Sequence, residues 1–161
     1  MSYEIVTLPA YRTVGLKWVG TFSEIVPNLK NVIQQVKDCA DEVGNKINPH
    51  VLLGLSYHVI ENGFVHYSVY QVSEEQEIPD GMIELRVPEW TYVKTTHCKG
   101  EDVQKTYTDL HQWLFNSDYT AYKEAGVVYY DLNMPIKHEH YPVDHDPNHP
   151  HFDIYIPIVK K

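Results

Sequence analysis

Apolar positions recur along this chain in the same order twice, offset by about 79 residues. Val6, Leu8, Tyr11 and Val14, with Pro9 among them, return as Leu85, Val87, Trp90 and Val93 around Pro88. An amphipathic run follows each time: Ile25, Leu29, Val32 and Val36 in the first copy, Val103, Tyr107, Leu110 and Leu114 in the second. Both runs have the period of a helix with one buried face. A unit that cannot close a core alone closes it against its copy. The seam between copies is therefore the expected place for a site.

The pattern predicts an interrupted strand over 3–8 and 11–19, because proline removes a ladder donor. A helix of about five turns is expected over 24–43, with Ser23 as N-cap and Gly44 as stop. Strand-like runs at 51–60 and 64–72 flank Glu61-Asn62-Gly63, a hairpin signal. Residues 73–81 are a polar linker. Copy two repeats the order with strand 82–98, helix 101–116 and strands 126–133 and 152–159, the last pair joined by a loop at 134–151. The expected fold class is α+β: a duplicated β-α-β-β unit with pseudo-twofold symmetry, about eight strands in an antiparallel-rich sheet, and two helices on one face. At 161 residues the chain is one domain, 1–161, made of copy one (1–79) and copy two (80–161).

Composition narrows the function. The formal net charge is −9, divided between the copies as −4 and −5. An evenly acidic surface repels phosphate backbones, so direct nucleic-acid binding is not expected, and cationic small molecules suit the chain better. Cys39 and Cys98 have no CxxC spacing and read as reduced packing residues. No apolar run is long enough to span a membrane and no leader is evident, which predicts a cytoplasmic protein with no membrane partner.

The segments Val6-Thr7-Leu8-Pro9-Ala10-Tyr11, Val87-Pro88-Glu89-Trp90, Asp131-Leu132-Asn133-Met134-Pro135 and Phe152-Asp153-Ile154-Tyr155 are in the order met in one family. The chain resembles the GyrI-like small-molecule-binding domain, the effector-binding domain of multidrug-sensing transcription regulators. That resemblance implies an aromatic groove between the halves that takes flat, amphipathic, often cationic compounds, with a carboxylate on its floor. It also implies two alternatives: hydrolysis of cyclopropane-containing electrophiles, and a gyrase-inhibitory interaction with a protein partner. No helix-turn-helix precedes residue 1, so a stand-alone binder, or a partner for a regulator, is expected. Aligned on the family, the strand glutamates fall at Gln71 and Tyr129, and neither side chain is a general base near neutral pH. Catalysis is accordingly not expected, although Tyr129 and Asp131 are candidates for it.

Three Trp, thirteen Tyr and four Phe supply flat surface for stacking and cation–π contact. The expected ligand-binding set is Trp18, Tyr67, Gln71, Trp90, Trp113, Tyr129 and Asp131. No cofactor is expected. Five of the ten histidines, His138, His140, His145, His149 and His151, lie in the 134–151 stretch. Imidazole pairs are zinc, nickel or copper ligands, but the spacing matches no zinc family, so a solvated loop is preferred to a metal site. Whether that loop closes over the groove is left open by the sequence.

Overall fold

A computed structural model describes residues 2–146 and 148–161. In copy one, β1 (Glu4–Leu8) and β2 (Tyr11–Thr21) are followed by α1 (Lys30–Asp38), β3 (Val51–Tyr57) and β4 (Gly63–Val72). Copy two holds β5 (Ile83–Val87), β6 (Trp90–His97), α2 (Val103–Asn116), a short β7 (Tyr119–Ala121), β8 (Ile136–Pro142) and β9 (Phe152–Lys160). The main sheet runs β1-β6-β9-β8-β3-β4-β2-β5, with β7 paired to the far end of β9. Every pairing is antiparallel. The duplicated α+β architecture is as the sequence implied.

The break at Pro9 does more than bend a strand. β1 leaves its own copy and pairs with β6, Val6 opposite Tyr92, while β5 pairs with β2, Leu85 opposite Thr13. The 79-residue offset carries each pairing onto the other, so the two copies exchange their first strands. Their third strands, β3 and β8, meet in the middle of the sheet with Gly54 opposite Glu139.

Both helices cover one face. Val36 of α1 packs with Val14, Leu52, Tyr70 and Val72, and Leu110 and Leu114 of α2 pack with Val93, Ile154 and Ile156. Tyr141 touches both clusters and joins them. The other face carries Leu53, Leu55, Val69 and Val87 with a rim of tyrosines and Trp90.

Three expectations are corrected. The 24–43 helix is shorter, because Pro27 lacks an N–H and disfavours helical geometry in the residue before it; Val26 is extended at φ −111°, ψ 122°, and regular helix begins only at Lys30. Residues 126–133 form no strand. Asp131 folds back there to accept the N–H groups of Asn133 and Met134, a turn that ends extension, and Val128, Tyr130 and Leu132 stay exposed. Conversely, Ile136–Pro142, inside the expected loop, is β8, held between β3 and β9. The connection to β9 is thus 143–151, of which Pro147 lies outside the described residues.

Candidate functional site

β8 alternates two sets of side chains across the sheet, as a strand must. Lys137, Glu139 and Tyr141 project toward the helices, and Ile136, His138 and His140 project away. On the helix side a cavity of about 500 Å³ opens between α2 and the turn after β2, lined by Phe22, His58, Phe64, Tyr107, Lys137 and Glu139 among others. It lies over the seam of the two copies. Gly54, facing Glu139, adds no side chain; a Cβ there would stand 2.9 Å from Tyr141 Cε2 and 3.1 Å from His66 Cε1.

Glu139 accepts hydrogen bonds from the hydroxyls of Tyr107, on α2, and Tyr141, on its own strand. Protein surrounds it except toward the cavity, which accounts for its partial accessibility. Burial pushes its carboxyl above the ordinary value, against the opposing effect of the two tyrosine hydrogen bonds and of Lys137. Both tyrosine hydroxyls are in turn held well above their usual range by burial and by the adjacent carboxylate, so they remain donors.

A second polar group lines the same cavity. Lys137 Nζ donates to Asp131 Oδ2 at 2.8 Å and bonds His58 Nε2 at 3.0 Å, and it lies 5.9 Å from the Tyr107 ring centroid. Burial and the lysine charge push the His58 imidazole down to about 4, which leaves it a neutral acceptor. Burial raises Asp131, but hydrogen bonds from Lys137 and the Met134 amide outweigh it and leave its carboxyl below the usual value.

The residues singled out from sequence do not converge on one surface. Asp131 lines the Glu139 cavity. Trp18 is buried beneath Leu29 and 5.4 Å from Phe64, a core position. Trp113 stacks on Tyr3 at 5.0 Å on the outer part of α2. Tyr67 and Trp90 belong to the opposite face, Tyr67 edge-on to Tyr57 and Trp90 against Tyr122 and His138. Gln71 lines a separate cavity of about 300 Å³ on that face with His140, Asp153 and Tyr155. Tyr129 is buried in the connection after β7, its hydroxyl accepting the Glu124 N–H at 3.3 Å.

The match of Tyr129 to a strand glutamate required 126–133 to be a strand. With β8 in that role, the carboxylate of the seam strand is Glu139, and Tyr107, Tyr141, Lys137 and His58 join it as residues the sequence reading missed. The available signal was the alternation in Ile136-Lys137-His138-Glu139-His140-Tyr141, masked by its polarity. Two of the histidines weighed as metal ligands, His138 and His140, are strand residues whose imidazoles burial pushes down to about 3 and about 4. His145 and His151 lie with ring centroids 5.9 Å apart, and His149 is exposed. Among the described residues no three His, Cys, Asp or Glu side chains form a group able to hold a metal. No helix among them is long and apolar enough to cross a membrane.

The transcriptional regulator BrlR of Pseudomonas aeruginosa is 26% identical over 164 residues, which cover 98% of this chain and 56% of the regulator; the chain thus spans little more than half its relative's length. Among solved structures, SAV2435 bound to tetraphenylphosphonium superposes with a TM-score of 0.67 at 14% identity, covering 99% of this chain and 94% of that one. The EcmrR C-terminal domain gives 0.65 at 18% identity (99% and 98% covered), and a hydrolase from Listeria innocua gives 0.62 at 12% (98% and 91%). The model of the GyrI-like small molecule binding domain matches residues 1–159, nearly the whole sequence, and the chain belongs to that family.

Proposed function

We propose that this domain captures amphipathic, planar cations noncovalently in the cavity over Glu139. One observation carries the reading: a carboxylate lining a cavity is held by two tyrosine hydroxyls and, among the described residues, has no cation in direct hydrogen-bond contact. A ligand that fills the cavity takes this carboxylate out of water, which is costly unless the ligand itself brings a positive partner, and a cation does. Phe22, Phe64 and Tyr107 provide the apolar and aromatic lining such ligands need. The acidic chain favours their approach. Tetraphenylphosphonium, the compound bound to SAV2435, is an aromatic cation with its four rings disposed tetrahedrally, and it is the first probe of the charge requirement.

Titration calorimetry of wild type and Glu139→Gln with tetraphenylphosphonium tests this. Loss of roughly tenfold or more in affinity in the variant is expected, the scale of a charged partner removed. Equal affinity of the two proteins would remove Glu139 from the reading.

A second reading is favoured by the surroundings of the same group. A carboxyl raised above its ordinary value by burial and hydrogen-bonded to tyrosine hydroxyls is a group of the kind that general acid–base catalysis uses. The fold is shared with a hydrolase. In this reading Glu139 and Tyr107 take the roles that the sequence assigned to Tyr129 and Asp131. Incubation with a cyclopropane-bearing electrophile decides: ring-opened product supports hydrolysis, and recovery of intact compound under saturating conditions rejects it.

A further inference from the structure

Lys137 is an unusual neighbour for a cation receptor. Two residues from Glu139 on β8, it projects to the same side of the sheet and lines the same cavity. Its ammonium has three N–H donors, of which one goes to Asp131 and one to the neutral His58. Among the described residues the third has no hydrogen-bond partner, and it remains for whatever occupies the cavity. Asp131 is already engaged by Lys137 and by two backbone N–H groups, which leaves Glu139 as the carboxylate that meets a ligand cation.

We propose that the Lys137–Asp131–His58 cluster makes this a bipolar site, selecting ligands that set a cation over Glu139 and a carboxylate or carbonyl oxygen against Lys137. The inference rests on the receptor reading above and adds the ligand's chemical class. A ligand with positive charge alone brings like charge beside the ammonium and leaves its third donor unmatched in a cavity emptied of water. A ligand with an acceptor at the right place meets both charges. Lys137 is then the residue that separates zwitterionic from purely cationic compounds of equal shape.

The test uses rhodamine B, whose free carboxylate makes it a zwitterion, and its ethyl ester, a cation of nearly the same shape, with tetraphenylphosphonium alongside. Fluorescence polarisation of wild-type protein is expected to show rhodamine B bound roughly tenfold tighter than the ester. Lys137→Met should abolish that preference and tighten tetraphenylphosphonium, since a positive charge leaves the cavity. Equal affinities, or tighter binding of the ester by wild type, would overturn the inference while leaving the receptor reading standing. Failure of all three compounds to bind would overturn both. The wild-type comparison requires no variant to fold.

Discussion

Gly54 and Glu139 face each other across the β3·β8 pair, and the pseudo-twofold relating the copies passes between them. The registers on either side give this result: an offset of 79 residues maps β2 onto β6, and the pairings of β2 with β4 and of β6 with β9 then map β4 onto β9, and so β3 onto β8 with Gly54 on Glu139. The same position thus carries a carboxylate in one copy and no side chain in the other. Two facing carboxylates would repel, and two side chains would close the space. The asymmetry provides one charge and the room beside it.

Gly54→Ala should therefore weaken the fold and the site together. Its Cβ would press on the Tyr141 ring, which holds Glu139 and joins the two core clusters. A destabilisation of about 1–3 kcal/mol, typical of overpacking, is expected in urea unfolding, with weaker tetraphenylphosphonium binding. Unchanged stability and affinity would show that the ring yields freely.

Glu139 should make stability depend on pH with a definite sign. Its carboxyl is raised in the fold above its ordinary 4.5, so the folded protein holds that proton more tightly than the unfolded chain. No cost exists below 4.5; a cost grows as pH rises from there through the folded value and then stays constant. Glu139→Gln carries no such charge. Its stability advantage over wild type should grow across that window in urea unfolding, and a difference independent of pH would contradict the raised value.

Tyr107→Phe and Tyr141→Phe each remove a donor to the carboxylate. Either change should raise the Glu139 carboxyl further, because these hydrogen bonds oppose the effect of burial. Affinity for a cation, which requires the ionised form, should then be lost at a higher pH than in wild type as the solution is acidified. The acid limb of binding against pH measures this, and coincident limbs in all three proteins would exclude the tyrosines from the charge balance.

The buried histidines act in the opposite direction. Burial pushes His58, His66 and His140 down to about 4 and His138 to about 3. Their contribution is complete above the ordinary 6.5 and lost as pH falls through the lowered values, since only the unfolded chain takes up these protons readily. His66→Gln should flatten the acid limb by on the order of 3 kcal/mol. Thermal unfolding of both proteins over that interval is the check, and parallel curves would show that His66 does not drive the loss.

Much of the fold was legible because it rests on periodicity. The match of Val14 and Val36 to Val93 and Leu114 records one core face written twice, and that pattern survives without knowledge of pairing. The site was less legible. Strand preference in Val127-Val128-Tyr129-Tyr130 is local, whereas β8 is a strand because β3 and β9 flank it on both sides. Its histidines read as solvated until those neighbours bury them. Aromatic abundance also misled, since Trp18 and Trp90 serve different faces of the sheet, and only geometry separates packing from lining.

The exchange of β1 and β5 has a consequence for assembly. Residues 4–8 find their ladder only when 90–97 is in place, and 83–87 borrow theirs from 11–15, so neither half owns a complete edge. Contacts so distant along the chain slow folding and reward closing the whole sheet at once. Cutting between the copies would leave two fragments with mismatched borders, each a template for the other, and mixing them should restore one sheet where neither alone gives any.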